Sequence, residues 1–269
     1  MNIQNIKQYG WRAALAICLI ASIQSCVPKD VESQKGFAVS EVEESEGTEH
    51  ANTLKKDSLS FETRPVTVLY TGLSNVRLTA LFKLNYSARD KHFFTGELNY
   101  HYSYNDPERP GNSFGYRLIP GYEAVYGYNF VNVSHFAVDR DSSHLLFDKP
   151  VLIRTLYYPS FETDTLNFEP VLRDNMFVTA YNEDTNRDGF ITTADLRRLF
   201  VFDENGESLE SVVPQDHSVF KSEYDSANDR IYLFARHDEN ADGVVGVTEP
   251  VHIFWMSLRD PRQGGVLYE

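Results

Sequence analysis

Residues 231–256 read IYLFARHDENADGVVGVTEPVHIFWM, with an apolar run on each side of an acidic segment. Residues 231–235 and 253–256 are almost all β-branched, aromatic or aliphatic, and between them lies a segment rich in Asp, Asn and Gly. Runs of the first kind are typical of β-strands, and segments of the second kind are typical of tight turns. The stretch therefore predicts two antiparallel strands joined by an acidic loop at residues 238–249.

A second stretch of the same design lies earlier in the chain, at an offset of 54 residues from Asp184 to Asp238. A strand-like run at 177–181 precedes an acidic loop at 184–195, and another run follows at 199–202. Each unit then continues through a polar turn to a short strand, near Val212 or near Val266. A further strand candidate at 218–224 precedes the second unit. The chain therefore contains an internal repeat of strands and loops.

Four antiparallel strands in about 50 residues resemble one blade of a β-propeller, as in periplasmic TolB-like proteins. Residues 59–269 keep no long helical period. We therefore predict an all-β domain over 59–269, with antiparallel, propeller-blade-like repeats; a β-sandwich is the alternative. The other strand candidates lie at 66–70, 77–84, 93–102, 124–130, 135–138 and 151–157.

Both loops fit the pattern D-x-N-x-D-G followed by five residues and an acid, which resembles the twelve-residue loop of EF-hand proteins. The resemblance implies two calcium sites, with glycine at the sharp turn in position 6. In the first loop the implied ligands are Asp184, Asn186, Asp188, the carbonyl of Phe190, Thr192 and Asp195. In the second loop they are Asp238, Asn240, Asp242, the carbonyl of Val244 and Glu249.

The chemistry of Ca²⁺ explains this spacing, since the ion takes six to eight oxygen ligands at about 2.3–2.6 Å. Two carboxylates about 5 Å apart repel by roughly 3 kcal/mol at an effective dielectric near 20, so such a cluster favours a cation. Glu249 can chelate bidentately, whereas the shorter Asp195 weakens the preference for Ca²⁺ over Mg²⁺. The other interpretation of each loop is an ordinary Asp/Asn/Gly turn. Because strands rather than helices flank the loops, we expect a structural ion at each hairpin tip.

The start of the chain indicates export. Lys7 and Arg12 precede an apolar run at 13–23, which is too short to span a bilayer and is typical of a secretory signal peptide over residues 1–25. The sequence Ile23-Gln24-Ser25-Cys26 is similar to the lipobox of bacterial lipoproteins, with Gln24 at a position that usually holds a smaller or aliphatic residue. The resemblance implies lipidation of Cys26 and a membrane anchor in the bacterial cell envelope, with the outer membrane as the expected address.

Residues 26–58 are predicted to form the lipidated Cys and a flexible acidic linker, because they contain one aromatic residue and the acidic run 41–49. The chain has a formal net charge of −14. A surface of that charge argues against nucleic acid as a partner. A protein or glycan ligand stays open. Tyrosines at 100–104 and 116–128 could present a sugar-binding surface, or could pack the faces of a sheet.

No catalytic residue is assigned. Residues 111–115 match G-x-S-x-G, but flanking prolines do not suit the strand and helix that this nucleophile motif needs. The eight His show no zinc-ligand spacing. The sequence favours a calcium-binding, membrane-anchored envelope lipoprotein that acts as a non-enzymatic binding or scaffold module. The alternative is a calcium-stabilised extracytoplasmic hydrolase of glycosides or esters.

Overall fold

The computed structural model describes residues 36–46, 61–87, 89–100 and 119–269. The first described elements are strand β1 (Gly36–Ala38) and helix α1 (Val39–Glu46). The remaining strands are β2 (Thr63–Tyr70), β3 (Val76–Ser87), β4 (His92–Thr95), β5 (Leu98–Tyr100), β6 (Tyr122–Gly127), β7 (Phe130–Ala137), β8 (Ser142–Leu145), β9 (Leu152–Pro159), β10 (Asp164–Leu166), β11 (Glu169–Val171), β12 (Met176–Tyr181), β13 (Phe190–Thr192), β14 (Arg198–Phe202), β15 (Ser208–Leu209), β16 (His217–Asp225), β17 (Arg230–His237), β18 (Val251–Ser257) and β19 (Gly264–Tyr268).

Most of these strands belong to three antiparallel sheets. The first sheet has the order β2-β3-β7-β8, with β4 paired to β3. The middle sheet has the order β15-β14-β12-β9-β6-β5, and the third sheet has the order β16-β17-β18-β19. Two short ribbons, β1 with β13 and β10 with β11, and an isolated bridge between Thr71 and Ser160 complete the pairing of the described residues.

The middle sheet is buried on both faces. Because successive side chains of a strand point to opposite faces, Met176 and Val178 of β12 enter one apolar cluster and Phe177 enters another. The first cluster also holds Leu78 of the first sheet, and the second holds Leu233 of the third sheet. The middle sheet therefore lies between the other two, and every residue of β12 is buried.

The all-β prediction is confirmed, and the sheets are antiparallel as expected. The repeat appears as two four-stranded meanders, β9-β12-β14-β15 and β16-β17-β18-β19. The described residues form no closed ring of blades. They place sheet on sheet, which is the packing of the sandwich alternative extended to three layers.

The strand predictions agree with the structure where runs of β-branched, aromatic and aliphatic residues are long, and agree less well near turns. The run at 177–181 lies within β12, and the run at 253–256 lies within β18. The candidate at 124–130 was wrong as one strand, because the chain turns between β6 and β7, with Asn129 at a φ of 52°. The candidate at 135–138 is the end of β7. The last strand of the first repeat unit is β15, slightly before Val212.

Part of the predicted flexible linker packs against the body. Strand β1 pairs with β13, and Phe37 is 1% exposed in a cluster with Val131, Tyr181 and Ile191. Glu41 of α1 also forms an ion pair with Lys83, at 2.6 Å. The linker prediction was therefore wrong for residues 36–42, because Phe37, the one aromatic residue of the stretch, finds an apolar site. Residues 26–35 and 47–58 lie outside the described part of the chain.

A buried ion pair connects the segment before β12 with the turn between β16 and β17. Nη1 and Nη2 of Arg173 each donate to a carboxylate oxygen of Asp229 at 2.9 Å, and both side chains are 1% exposed. Arg173 also donates to the carbonyls of Pro120 and Leu258, and Tyr224 donates to Asp229. Burial alone would raise the pKa of Asp229, but its hydrogen bonds to Arg173 hold that pKa below the usual value.

We expect Asp229→Asn to lower the free energy of unfolding by about 3–5 kcal/mol, because it leaves the Arg173 charge buried without its counterion. Arg259 contacts the same carboxylate from a side chain that is 74% exposed, so Arg259→Gln should cost under about 1 kcal/mol. Urea unfolding of both variants measures the difference. Equal losses would show that Arg173 does not depend on this partner.

The same pair predicts a pH dependence. Since the pKa of Asp229 is lowered in the folded state, its contribution is complete above the unfolded pKa of about 3.9 and is lost as the pH falls through the folded pKa. The free energy of unfolding of the wild type should therefore fall more steeply below about pH 4 than that of Asp229→Asn. Parallel curves between pH 2 and 5 would contradict this assignment.

Candidate metal centres

The two acidic loops connect neighbouring strands. The first loop lies between β12 and β14, which pair with Ala180 opposite Arg198. The second lies between β17 and β18, which pair with Arg236 opposite Val251. Both loops are therefore at hairpin tips, as predicted. The flanking elements are strands, so the helix pair of an EF-hand is absent on both sides of each loop.

Backbone N–H groups organise the second loop around Asp238. Its Oδ1 accepts from the amide of Asp242 at 3.2 Å, and its Oδ2 accepts from the amide of Gly243 at 2.9 Å. Asn240 Oδ1 accepts from the amide of Asp242 at 2.9 Å. Asp242 Oδ1 in turn accepts from the amide of Val244 at 2.9 Å. These bonds curl the loop, and one carboxylate oxygen of Asp238 lies within 4.8 Å of one of Asp242.

Glu249 closes the second loop. Its Oε2 accepts from the amide of Gly246 at 2.6 Å, while its Oε1 is buried without a hydrogen-bond partner. One carboxylate oxygen from each of Asp238, Asp242 and Glu249 lies within 4.8 Å of the others. Three carboxylates this close repel one another, and a cation between them would remove that repulsion.

The first loop has the same curl but a different closure. Asp184 accepts from the amides of Asp188 and Gly189 at 3.0 and 2.8 Å, as Asp238 does in the second loop. Asp188 Oδ1 accepts from the amide of Phe190 at 2.9 Å. Asn186 Oδ1 accepts from the amide of Asp188 at 3.0 Å.

Asp195, which occupies the closing position, is turned toward the backbone. Its Oδ1 accepts from the amides of Thr185 and Asn186, and its Oδ2 accepts from the amide of Thr192 at 2.7 Å. Burial raises the pKa of Asp195, and these three donors oppose the rise. Among the described residues, the first loop's acids do not form a cluster like that of the second loop. The side chain of Asp195 therefore holds the two ends of the first loop together through hydrogen bonds to the backbone.

The ligands predicted after the sharp turn, the carbonyls of Phe190 and Val244 and the side chain of Thr192, have different surroundings in the two loops. Phe190 and Thr192 lie in β13 and pair with β1, and Thr192 Oγ1 accepts from the amide of Ala194 at 3.1 Å. Val244 is exposed and belongs to no strand. The first loop is thus held by a strand, whereas the second is held by its own turns.

The two loops touch each other. Thr185 Oγ1 donates to the carbonyl of Gly243 at 2.7 Å. A Cβ atom added to Gly243 would lie 1.8 Å from the carbonyl oxygen of Thr185. Glycine at this position therefore serves two purposes, the positive φ of 78° and the close approach of the first loop.

Sequence reasoning missed a second group of possible ligands close to the second loop. His217, His237 and His252 each present a ring nitrogen within 4.8 Å of the others. Burial lowers the pKa of His217, although its hydrogen bond to Asp216 has the opposite effect. No spacing rule applies to them because they lie on three different strands. The one signal in the sequence is indirect: pairing the predicted strands β16, β17 and β18 brings His217 opposite His237 and places His252 close by.

Several predicted features lie outside the described residues: the signal peptide, Cys26 and the 111–115 motif. Among the residues that are described, no helix is both long and apolar enough to cross a membrane. Compared with protein-family models and with curated proteins, the chain matches none.

The contact between the loops can be tested with a matched pair of variants. Gly189 holds the same loop position as Gly243, with a φ of 90°, but a Cβ there would meet nothing within 4 Å. Both Gly→Ala changes incur the left-handed backbone cost of about 1–2 kcal/mol. We expect Gly243→Ala to destabilise the protein more than Gly189→Ala by urea unfolding in EDTA. Equal effects would mean that the loops separate at little cost.

Proposed function

We propose that this chain is a calcium-binding protein whose second loop, residues 238–249, holds a structural Ca²⁺ at the tip of the β17–β18 hairpin. The observation that carries the proposal is the convergence of Asp238, Asp242 and Glu249, together with the unpartnered Oε1 of Glu249. Asn240 and the carbonyl of Val244 supply the further oxygens. Hard oxygen ligands in this number suit Ca²⁺ better than a softer metal.

The ion's role is structural in this proposal because nothing beside the loop is built to reorient. The strands on both sides of the second loop are paired along their length with β16, with each other and with β19. A cation at the tip would neutralise the carboxylates and hold β17 and β18 together. The first loop is the weaker candidate, because Asp195 already accepts three backbone N–H bonds.

We further propose a bacterial envelope location, with lipid on Cys26 and a non-enzymatic binding or scaffold role. The support is the sequence Ile23-Gln24-Ser25-Cys26 after an apolar run, together with the acidic character of the chain. Two or more acyl chains would anchor the protein stably, whereas one would do so only marginally. We favour the outer membrane as the location, with the lipid on Cys26 as the contact to it. The negative charge of the chain argues against nucleic acid as a partner.

Calcium should raise the melting temperature, and Glu249→Gln should abolish most of that rise. Sites with three carboxylates in extracellular modules bind with a Kd of roughly 10⁻⁴–10⁻³ M. Calcium at 100 times Kd then adds about 2.7 kcal/mol to the free energy of unfolding. For a domain of this size the melting temperature rises by roughly 5–10 °C. Gln keeps an oxygen for the Gly246 amide and removes one of the mutually repelling charges, so the variant should melt no lower than the wild type in EDTA.

The calorimetric readout is the difference between melting in Ca²⁺ and in EDTA for each protein. Asp139→Asn removes an exposed acid outside both loops and serves as the control, with the wild-type difference expected. Asp184→Ala reports separately on the first loop. If Glu249→Gln gains as much from Ca²⁺ as the wild type does, the second loop does not hold the ion.

A further inference from the structure

Three histidines meet where three neighbouring strands of the third sheet run side by side. His217 pairs directly with His237 across β16 and β17, and their rings stack with centroids 4.7 Å apart. His252 lies on β18, and its ring centroid is 4.9 Å from that of His217 and 5.3 Å from that of His237. The register of the sheet therefore holds three imidazoles together, although the three positions are far apart in sequence.

One carboxylate lies against two of these rings. Asp216 Oδ1 lies 2.6 Å from Nδ1 of His217, and its Oδ2 lies 3.2 Å from Nε2 of His237. A carboxylate beside Nδ1 favours the tautomer with the proton on that nitrogen, which leaves Nε2 of His217 with its lone pair. That Nε2 lies 2.8 Å from Nδ1 of His252. His252 therefore donates this hydrogen bond when both rings are neutral.

We propose that His217, His237 and His252 form a site for a divalent transition-metal ion such as Zn²⁺, with Asp216 as the positioning carboxylate. The ligands are Nε2 of His217, Nδ1 of His252 and one nitrogen of His237. A carboxylate that orients a metal-binding imidazole is the common arrangement around zinc sites. His252 shifts its proton from Nδ1 to Nε2 on binding, so its ring stays neutral.

For one pair of ligands the spacing is close to what such an ion needs, and one nitrogen of each ring lies within 4.8 Å of the others. Zn–N bonds of about 2.0–2.1 Å at tetrahedral angles place ligand nitrogens about 3.3 Å apart. The Nε2 of His217 and the Nδ1 of His252 therefore separate by about half an ångström when the shared proton is replaced by the metal. His217 is buried, but the side chain of His237 is 29% exposed, so solvent and ions reach the cluster from that side. Three protein ligands leave a fourth position open to water.

This site is chemically distinct from the calcium loop, although the two are neighbours. Imidazole nitrogens suit zinc, copper, nickel and cobalt, whereas carboxylate and carbonyl oxygens suit calcium. His237 directly precedes Asp238, and the amide of Asp238 donates to the carbonyl of Asp216 at 2.8 Å. The two centres therefore share one end of the β16–β17 pair. The histidine site does not require that the acidic loop bind calcium.

The test is a Zn²⁺ titration of the full chain, made without a polyhistidine tag and kept in mild detergent with 10 mM Ca²⁺ to occupy the acidic loop. We expect one Zn²⁺ per chain, and a loss of about tenfold or more in affinity for His252→Asn. His92→Asn removes an exposed histidine of β4 and should bind like the wild type. Asp216→Asn should weaken Zn²⁺ by about 10- to 100-fold.

Nitrogen-15 spectra of the wild-type histidine rings provide a readout that does not depend on any variant folding. Saturating Zn²⁺ should shift ring-nitrogen signals of three histidines, with both nitrogens of His252 affected because its proton changes place, and should leave the other rings unchanged. The proposal is overturned if no ring nitrogen responds, or if His252→Asn binds Zn²⁺ as tightly as the wild type. It is also overturned if Glu249→Gln abolishes Zn²⁺ binding while His252→Asn does not, because the ion would then occupy the acidic loop.

Discussion

The structure depends on the burial of one sheet on both of its faces. Strand β12 can carry Met176, Phe177 and Val178 in succession only because apolar side chains meet it from the first sheet and from the third. A strand with one wet face would alternate polar and apolar residues instead. Once β12 is fixed between two sheets, the hairpin that leaves it must project beyond the packed layers. The first acidic loop lies there, against the hairpin tip of the third sheet.

The sequence was sufficient for the strands with strong runs and for the loops between them. It identified the β17–β18 hairpin and both acidic loops because alternation, turn residues and ligand spacing are all local signals. The stacking of three sheets was not predictable in this way, since a blade-like meander has the same local pattern whether the blades close into a ring or stack as layers. The sequence also does not show which side chains of a strand buried on both faces point to which adjacent sheet, because tertiary contacts decide this.

The site shows the same division between local and non-local information. The D-x-N-x-D-G pattern was enough to place the carboxylates of the second loop, because the curl is made by hydrogen bonds within six residues. It did not reveal that Asp195 would accept hydrogen bonds from the backbone. Asp is one carbon shorter than Glu, and whether its carboxylate reaches the other acids depends on the folded position of the loop. The histidine cluster was beyond sequence reasoning, because the pairing of His217 with His237 depends on a bulge in β16 near Val219.

The short ribbon between β1 and β13 has a mechanical consequence. Tension that arrives along the chain at Gly36 is carried first by three residue pairs, Gly36 with Thr192, Phe37 with Ile191 and Ala38 with Phe190. All three partners belong to the first acidic loop, and the amide of Gly36 also donates to Asn129 Oδ1, between β6 and β7, at 2.8 Å. A pull on Gly36 therefore acts on that loop and on the turn between the first and middle sheets at the same time. The ribbon can open only if the Phe37 ring, which is 1% exposed, leaves its apolar cluster, so the burial of that ring opposes such a load.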